Sequence, residues 1–185
     1  MTTFPLHTIE SAPQQSVPVL QTLQQAFGFI PNIAGKMATS PVLIQSFIGV
    51  FQNVHGGSFN ESQIQTLLLT NAVTNACSWA VAFHTALALK EGLLPADVQA
   101  IREGRLPQDA QHAALSSLAK NYIEKRGKLA DADLQAFLAA GFSKEQVLEV
   151  ITVVAASTIT NYVGNVTQPA LEESFQQHVW TAATH

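Results

Sequence analysis

A chain of 185 residues is long enough for one domain with a sizeable core and cramped for two. Only 12% of its residues are charged, against roughly a quarter in ordinary soluble proteins, so much of the surface must be neutral polar or covered by another subunit. A net charge of -4 without any Lys/Arg cluster gives no electrostatic footprint for nucleic acid or an anionic membrane, and a single cysteine argues against a disulfide-stapled secreted protein and fits a reducing, cytoplasmic compartment.

The start, Met1-Thr2-Thr3-Phe4-Pro5-Leu6-His7, has no basic region followed by an apolar run, so no signal peptide is expected. Ser16-Val17-Pro18 opens a helix with proline early, and Leu20, Leu23 and Phe27 recur at helical spacing before Gly28 ends it. Phe29-Ile30-Pro31-Asn32 reads as a turn. Ser40-Pro41 starts a second helix, whose stripe of Leu43, Phe47, Val50 and Phe51 runs out near His55-Gly56-Gly57. Asn60 with Gln63 three residues later forms a capping-box signal, and the chain then reads helical to Gly92, with a break near Cys77 where Thr74, Asn75 and Ser78 weaken the propensity. Short helices follow over 95–101, 110–126 and 131–140. Ser143 caps a long helix with Glu145 and Gln146 in its first turn, running to Tyr162 or Val163, and 169–175 reads as a short terminal helix. Strand signals are scarce, so the expected fold is all-α, as a single domain over 1–185.

The stretch 62–89 carries no charge, which raises the question of a membrane span. Gln63, Gln65, Asn71, Asn75, His84 and four threonines are costly in hydrocarbon, so a helix buried in protein is the better reading. A second uncharged stretch covers 150–171. Two such segments in a small domain predict a core extended across a subunit interface, hence a homo-oligomer and no membrane partner. Placing Asn60 and Gln63 over Ser143 and Gln146 also aligns Ala72 with Ala155 and Ser78-Trp79 with Asn161-Tyr162, a faint internal similarity that any two capped, buried helices would share.

Chemistry concentrates around Cys77. On a continuous helix Cys77 and His84 would be two turns apart on nearly one face, so the imidazole could tune the thiol or relay its proton. With no second cysteine the chain forms no intramolecular disulfide. His7, His55, His112, His178 and His185 are scattered without a pair at metal-ligand spacing, and no phosphate loop is present, so neither a metal nor a cofactor is expected. Trp79 either lines a pocket or packs in the core. Gln65, Ser78 and Tyr162 are polar candidates for a pocket.

Phe4-Pro5-Leu6-His7, the run from Ala26 through Gly28 to Asn32, Asn75-Ala76-Cys77 with His84 beyond it, the run from Asp133 through Phe137 to Gly141, Gln146-Val147-Leu148-Glu149-Val150 and Asn161-Tyr162 together resemble the carboxymuconolactone decarboxylase family, in its alkylhydroperoxidase D-like, peroxidase-related branch. The resemblance implies a helical bundle assembled into trimers or hexamers. In the thiol peroxidase members of that family a Cys-x-x-Cys pair precedes a histidine, and a glutamate lies upstream. Cys77 matches the first cysteine and His84 the histidine, whereas Ala80 stands for the second cysteine and Gln65 for the glutamate. Where many relatives carry Asn-His near the end, this chain has Gly164-Asn165.

A glutamine takes no proton at neutral pH, and Ala80 can neither attack a hydroperoxide nor resolve an oxidised Cys77, so the two-cysteine cycle cannot run. Three readings follow. One is one-cysteine peroxidase chemistry, in which Cys77, assisted by His84, attacks a hydroperoxide and an external thiol reduces the product. Another is an inactive member acting as an oligomeric scaffold for a small molecule or a protein. The third is a lyase on a small lactone carboxylate, for which no acid–base set or anion-binding arginine stands out.

Overall fold

The computed structural model describes residues 3–182; Met1, Thr2 and His185, which entered the sequence reading, lie outside the described residues. Helix boundaries follow local chemistry. Helix α1 (Val17–Phe27) begins with Pro18 in its first turn and stops at Gly28, whose φ of 80° suits a residue without a side chain. Helix α3 (Pro41–His55) is capped by Ser40, whose hydroxyl accepts from the Leu43 N–H. Complete capping boxes open α4 (Glu61–Thr74, Asn60 with Gln63) and α9 (Lys144–Thr167, Ser143 with Gln146), as their sequences predict. Helices α5 (Ser78–Lys90), α6 (Pro95–Arg102), α7 (Ala110–Glu124) and α8 (Asp131–Ala139) complete the bundle, and no strand occurs among the described residues.

Three expectations need correction. The turn at Pro31 leads into a short helix, α2 (Asn32–Met37), whose first free N–H is capped from far away in sequence: Glu172 Oε1 accepts from Asn32 N at 2.6 Å. Helix α9 continues past Val163 to Thr167, because its glycine, Gly164, faces the core rather than ending the helix. The terminal helix expected over 169–175 is instead a 3-10 segment, Glu173–His178.

The expected break near Cys77 is present. Helix α4 ends in a Schellman motif in which Cys77 N donates to Ala72 O (3.0 Å) and Ala76 N to Val73 O (3.0 Å). The left-handed position that this motif normally gives to glycine is held by Ala76, with φ 52°. The uncharged stretch is thereby divided into helices of 14 and 13 residues, each too short for the roughly 20 residues a bilayer span needs. By length and composition α9 alone among the described helices could span a bilayer, but Val150, Val153, Ala156, Ser157, Asn161 and Gly164 bury one of its faces in the bundle.

Helix α4 sits at the centre, packed against α5, α7 and α9 and buried at every position from Ile64 to Ala72. One apolar cluster gathers Leu20, Ile33, Met37, Ile44, Phe47, Trp79 and Phe83 from α1, α2, α3 and α5. Another gathers Leu67, Leu115, Leu118, Phe137, Phe142 and Val153 from α4, α7, α8 and α9 with the loop before α9. The candidate site lies where α1, α3, α4 and α5 converge.

Candidate functional site

Cys77 is the N-cap of α5 with extended backbone angles, so the same-face spacing of a helix begins only after it. Its thiol does not reach His84. It packs instead against α9, where a β-carbon added at Gly164 would lie 2.5 Å from Cys77 Sγ. The residue is 1% exposed. Burial pushes its thiol pKa up, and this outweighs the lowering by the Ala80 and Trp79 backbone N–H groups at the start of α5. A thiol shifted in this direction stays protonated at neutral pH, whereas one-cysteine peroxidase chemistry needs a thiolate.

His84 faces the other way. Its Nδ1 lies 3.0 Å from Gln65 Oε1 across the α4–α5 interface. A carbonyl oxygen can only accept, so the proton sits on Nδ1 and Nε2 keeps a lone pair. Burial, seconded by repulsion between two protonated rings at His84 and His55, lowers the His84 pKa to about 3, which keeps the ring neutral under physiological conditions. A carboxylate at position 65 would have opposed that lowering; the amide of Gln65 holds a neutral imidazole without adding charge.

His84 belongs to the walls of two adjoining cavities, which also share Phe27, Phe51, Leu68 and Phe83. The inner cavity measures about 50 Å³ and adds Trp79, Phe47 and Ser157 to its walls. The outer chamber measures about 160 Å³ and is bounded also by Gln65, His55, Glu61, Leu87, Lys90 and Glu91. Aromatic rings interlock around them: Trp79 stacks on Phe83 at a centroid distance of 4.8 Å, and Phe83 meets Phe27 edge-on at 5.7 Å. Trp79 is fixed by its indole N–H, which donates to Glu172 Oε2 at 2.9 Å, the same carboxylate that caps α2.

Of the residues singled out in sequence, the structure thus brings together Gln65 and His84, with Trp79 on the inner wall. It separates the rest. Ala80 is fully buried and lines neither cavity. Ser78, in the first turn of α5, is turned out to solvent. Tyr162 is 59% exposed and borders a groove with Phe4, Leu43 and Val166 on another face. Sequence reasoning passed over His55 and Glu61: His55 Nδ1 meets Glu61 Oε1 at 2.9 Å, and both line the outer chamber. The signal was a histidine four residues after Phe51, which puts both on one helix face, followed by the Gly56-Gly57 turn and an acidic helix start. Among the described residues no group of three or more His, Cys, Asp or Glu is arranged to hold a metal ion.

No family model matches the sequence, and no curated protein matches it in sequence. Solved structures do match in fold. The alkylhydroperoxidase core of a peroxidase-related protein from Ralstonia eutropha JMP134 superposes with a TM-score of 0.82 at 16% identity, covering 93% of each chain. A peroxidase-related protein from Silicibacter sp. TM1040 gives 0.75 at 16% identity over 94% of this chain and 92% of its own. The debrominase Bmp8 gives 0.79 at 17% identity over 96% of each chain, and a Cys-to-Ala variant of it, in complex with 2,3,4-tribromopyrrole, gives 0.76. The chain therefore has the alkylhydroperoxidase D-like fold, in agreement with the family that its motifs resemble.

Proposed function

We propose that this protein is a carboxymuconolactone decarboxylase family member in which the thiol peroxidase cycle is absent and the aromatic chamber beside His84 binds a small, planar, largely apolar molecule bearing one O–H or N–H donor. One observation carries this reading: the thiol of Cys77 is sealed against Gly164 and lines neither cavity, while the Nε2 lone pair belongs to a neutral histidine that lines both. Size supports it as well. By volume alone, a cavity of about 150 Å³ accommodates benzene, so the outer chamber, at about 160 Å³ with Phe27, Phe51 and Phe83 on one side and polar groups on the other, has room for one ring, and the inner cavity of about 50 Å³ does not. The halogenated pyrrole bound to a Bmp8 variant belongs to the same chemical class, a flat apolar ring with an N–H.

The one-cysteine peroxidase reading rests on the two backbone N–H groups at the start of α5 that favour a thiolate at Cys77, and burial outweighs them. Binding is tested in a Trp180→Phe background, where Trp79 is the only indole left, by titrating 2,3,4-tribromopyrrole against its fluorescence. Saturable quenching is expected, unchanged by Cys77→Ala and weakened roughly fivefold by His84→Ala, the loss of one hydrogen bond of about 1 kcal/mol. Quenching that fails to saturate, or that depends on Cys77 rather than His84, contradicts the proposal.

A further inference from the structure

The outer chamber contains a second imidazole in an arrangement that binding alone does not require. His55 closes α3, and its Nδ1 is directed at the Glu61 carboxylate (2.9 Å) at the start of α4, across the Gly56-Gly57 turn. With the proton on Nδ1 held by a carboxylate, the free position of the ring is Nε2. That atom is buried and has no hydrogen-bond partner among the described residues. A buried polar atom without a partner is costly, and of the residues with such atoms among those described, His55, Asn71 and Asn161, His55 is the one on the chamber wall; its Nε2 is the atom a carboxylate–histidine dyad presents to a proton donor. The ring is also held by Phe51, its centroid 4.4 Å away. Nothing in the fold uses this atom.

We propose that His55, oriented by Glu61, is the acid–base group of the outer chamber, taking the proton from a weakly acidic aromatic O–H or N–H compound held there with its donor turned toward His55 instead of His84. The step is a single proton transfer. The ligand O–H or N–H bond breaks, its electron pair stays on the ligand, and the proton bonds to His55 Nε2, leaving an anion beside an imidazolium–carboxylate pair. The other charged groups on the chamber wall are Glu61 itself, Lys90 and Glu91, while His84 is neutral there. Lys90 favours the anion and Glu91 opposes it. Glu61 accepts from His55 Nδ1 and so fixes the ring's orientation; it is a positioning residue, since it acts through His55. The rings of Phe27, Phe51 and Phe83 make the other side of the chamber apolar, and a less polar surrounding strengthens the new ion pair.

This inference rests on the binding reading above, and the two fail separately. The probe is meta-nitrophenol, whose phenolate is yellow and whose neutral form is not, added to the Trp180→Phe protein at a pH above the ordinary histidine range and below the probe's own pKa. Quenching of Trp79 reports binding and colour reports ionisation. The expected result is that bound probe turns yellow, its apparent pKa on the protein falling by about one unit or more, a tenfold change in ionisation. At a probe concentration that saturates the Trp79 quenching, His55→Gln should leave the bound probe colourless. Glu61→Gln should give a partial loss of colour at saturating probe, and meta-nitroanisole, which has no proton to give, should lose less affinity than the phenol on going from wild type to His55→Gln. Bound probe that stays colourless in the wild type, or stays yellow in both variants, overturns the acid–base role and leaves the binding reading intact. Absence of any saturable quenching overturns both.

Discussion

His84 shows how a single side chain changes role when its neighbours change. Beside Gln65 and away from solvent its ring stays neutral, which leaves Nε2 able to accept a hydrogen bond, the part proposed for it above. The same burial has a consequence for stability. Unfolded, the ring takes a proton below its ordinary value of 6.5; folded, it resists until about 3. Between those values the unfolded chain binds more protons than the folded one, so stability falls as pH falls, by up to about 1.4 kcal/mol per pH unit from this group. Above 6.5 both states are neutral and the contribution is constant. Urea midpoints followed downward from neutral pH should therefore drop more steeply in wild type than in His84→Gln, and parallel curves would show that position 84 is not the buried, neutral group described.

At the scale of elements, the junction of α4, α5 and α9 decides what Cys77 can do. Ala76 in a left-handed conformation turns the chain, Asn165 Nδ2 donates to Asn75 O at 2.9 Å to fasten α9 to the turn, and Gly164 makes room for the thiol. Gly164→Ala forces a methyl against the sulfur and should cost about 1–3 kcal/mol, while in a Cys77→Ala background most of that cost should vanish. Additive costs would mean that the sulfur is not what the glycine accommodates. Much of this element structure was legible in the sequence. Ser40, the Asn60–Gln63 pair and the Ser143–Gln146 pair are local signals, read within four residues, and each helix starts where they say. Helix α2 was not legible, because the group that caps it, Glu172, arrives from the far end of the chain. The seat that Gly164 gives the Cys77 sulfur was not legible either, because a close approach between helices leaves no local trace. The pairing of Gln65 with His84 was partly legible, since the family resemblance marked both positions. His55 with Glu61 was not, because the chamber that gives the pair meaning is assembled from four helices.

For the whole molecule, the low charge content finds its place on α9. Leu148 (66% exposed), Ile151 (45%), Tyr162 (59%) and Val166 (67%) recur at helical spacing with exposed Ala155, so they form an apolar stripe along the helix's outer face. We propose that a second copy of the chain covers this stripe, in keeping with the homo-oligomers the family resemblance implies. Light scattering at micromolar concentration should give a multiple of the 19.9 kDa chain mass, and Ile151→Glu with Val166→Glu should reduce it. A wild-type monomer would contradict the assignment.

The most direct test asks whether the chemistry left the thiol. Oxidation of Cys77 by cumene hydroperoxide, followed by intact mass in native and in urea-denatured protein at the same pH, should be much slower in the native state, because the sulfur is sealed and its pKa is raised by burial. Native oxidation faster than denatured, and saturable in hydroperoxide, would mean that Cys77 is an activated nucleophile and that the chamber beside His84 serves a peroxidase after all.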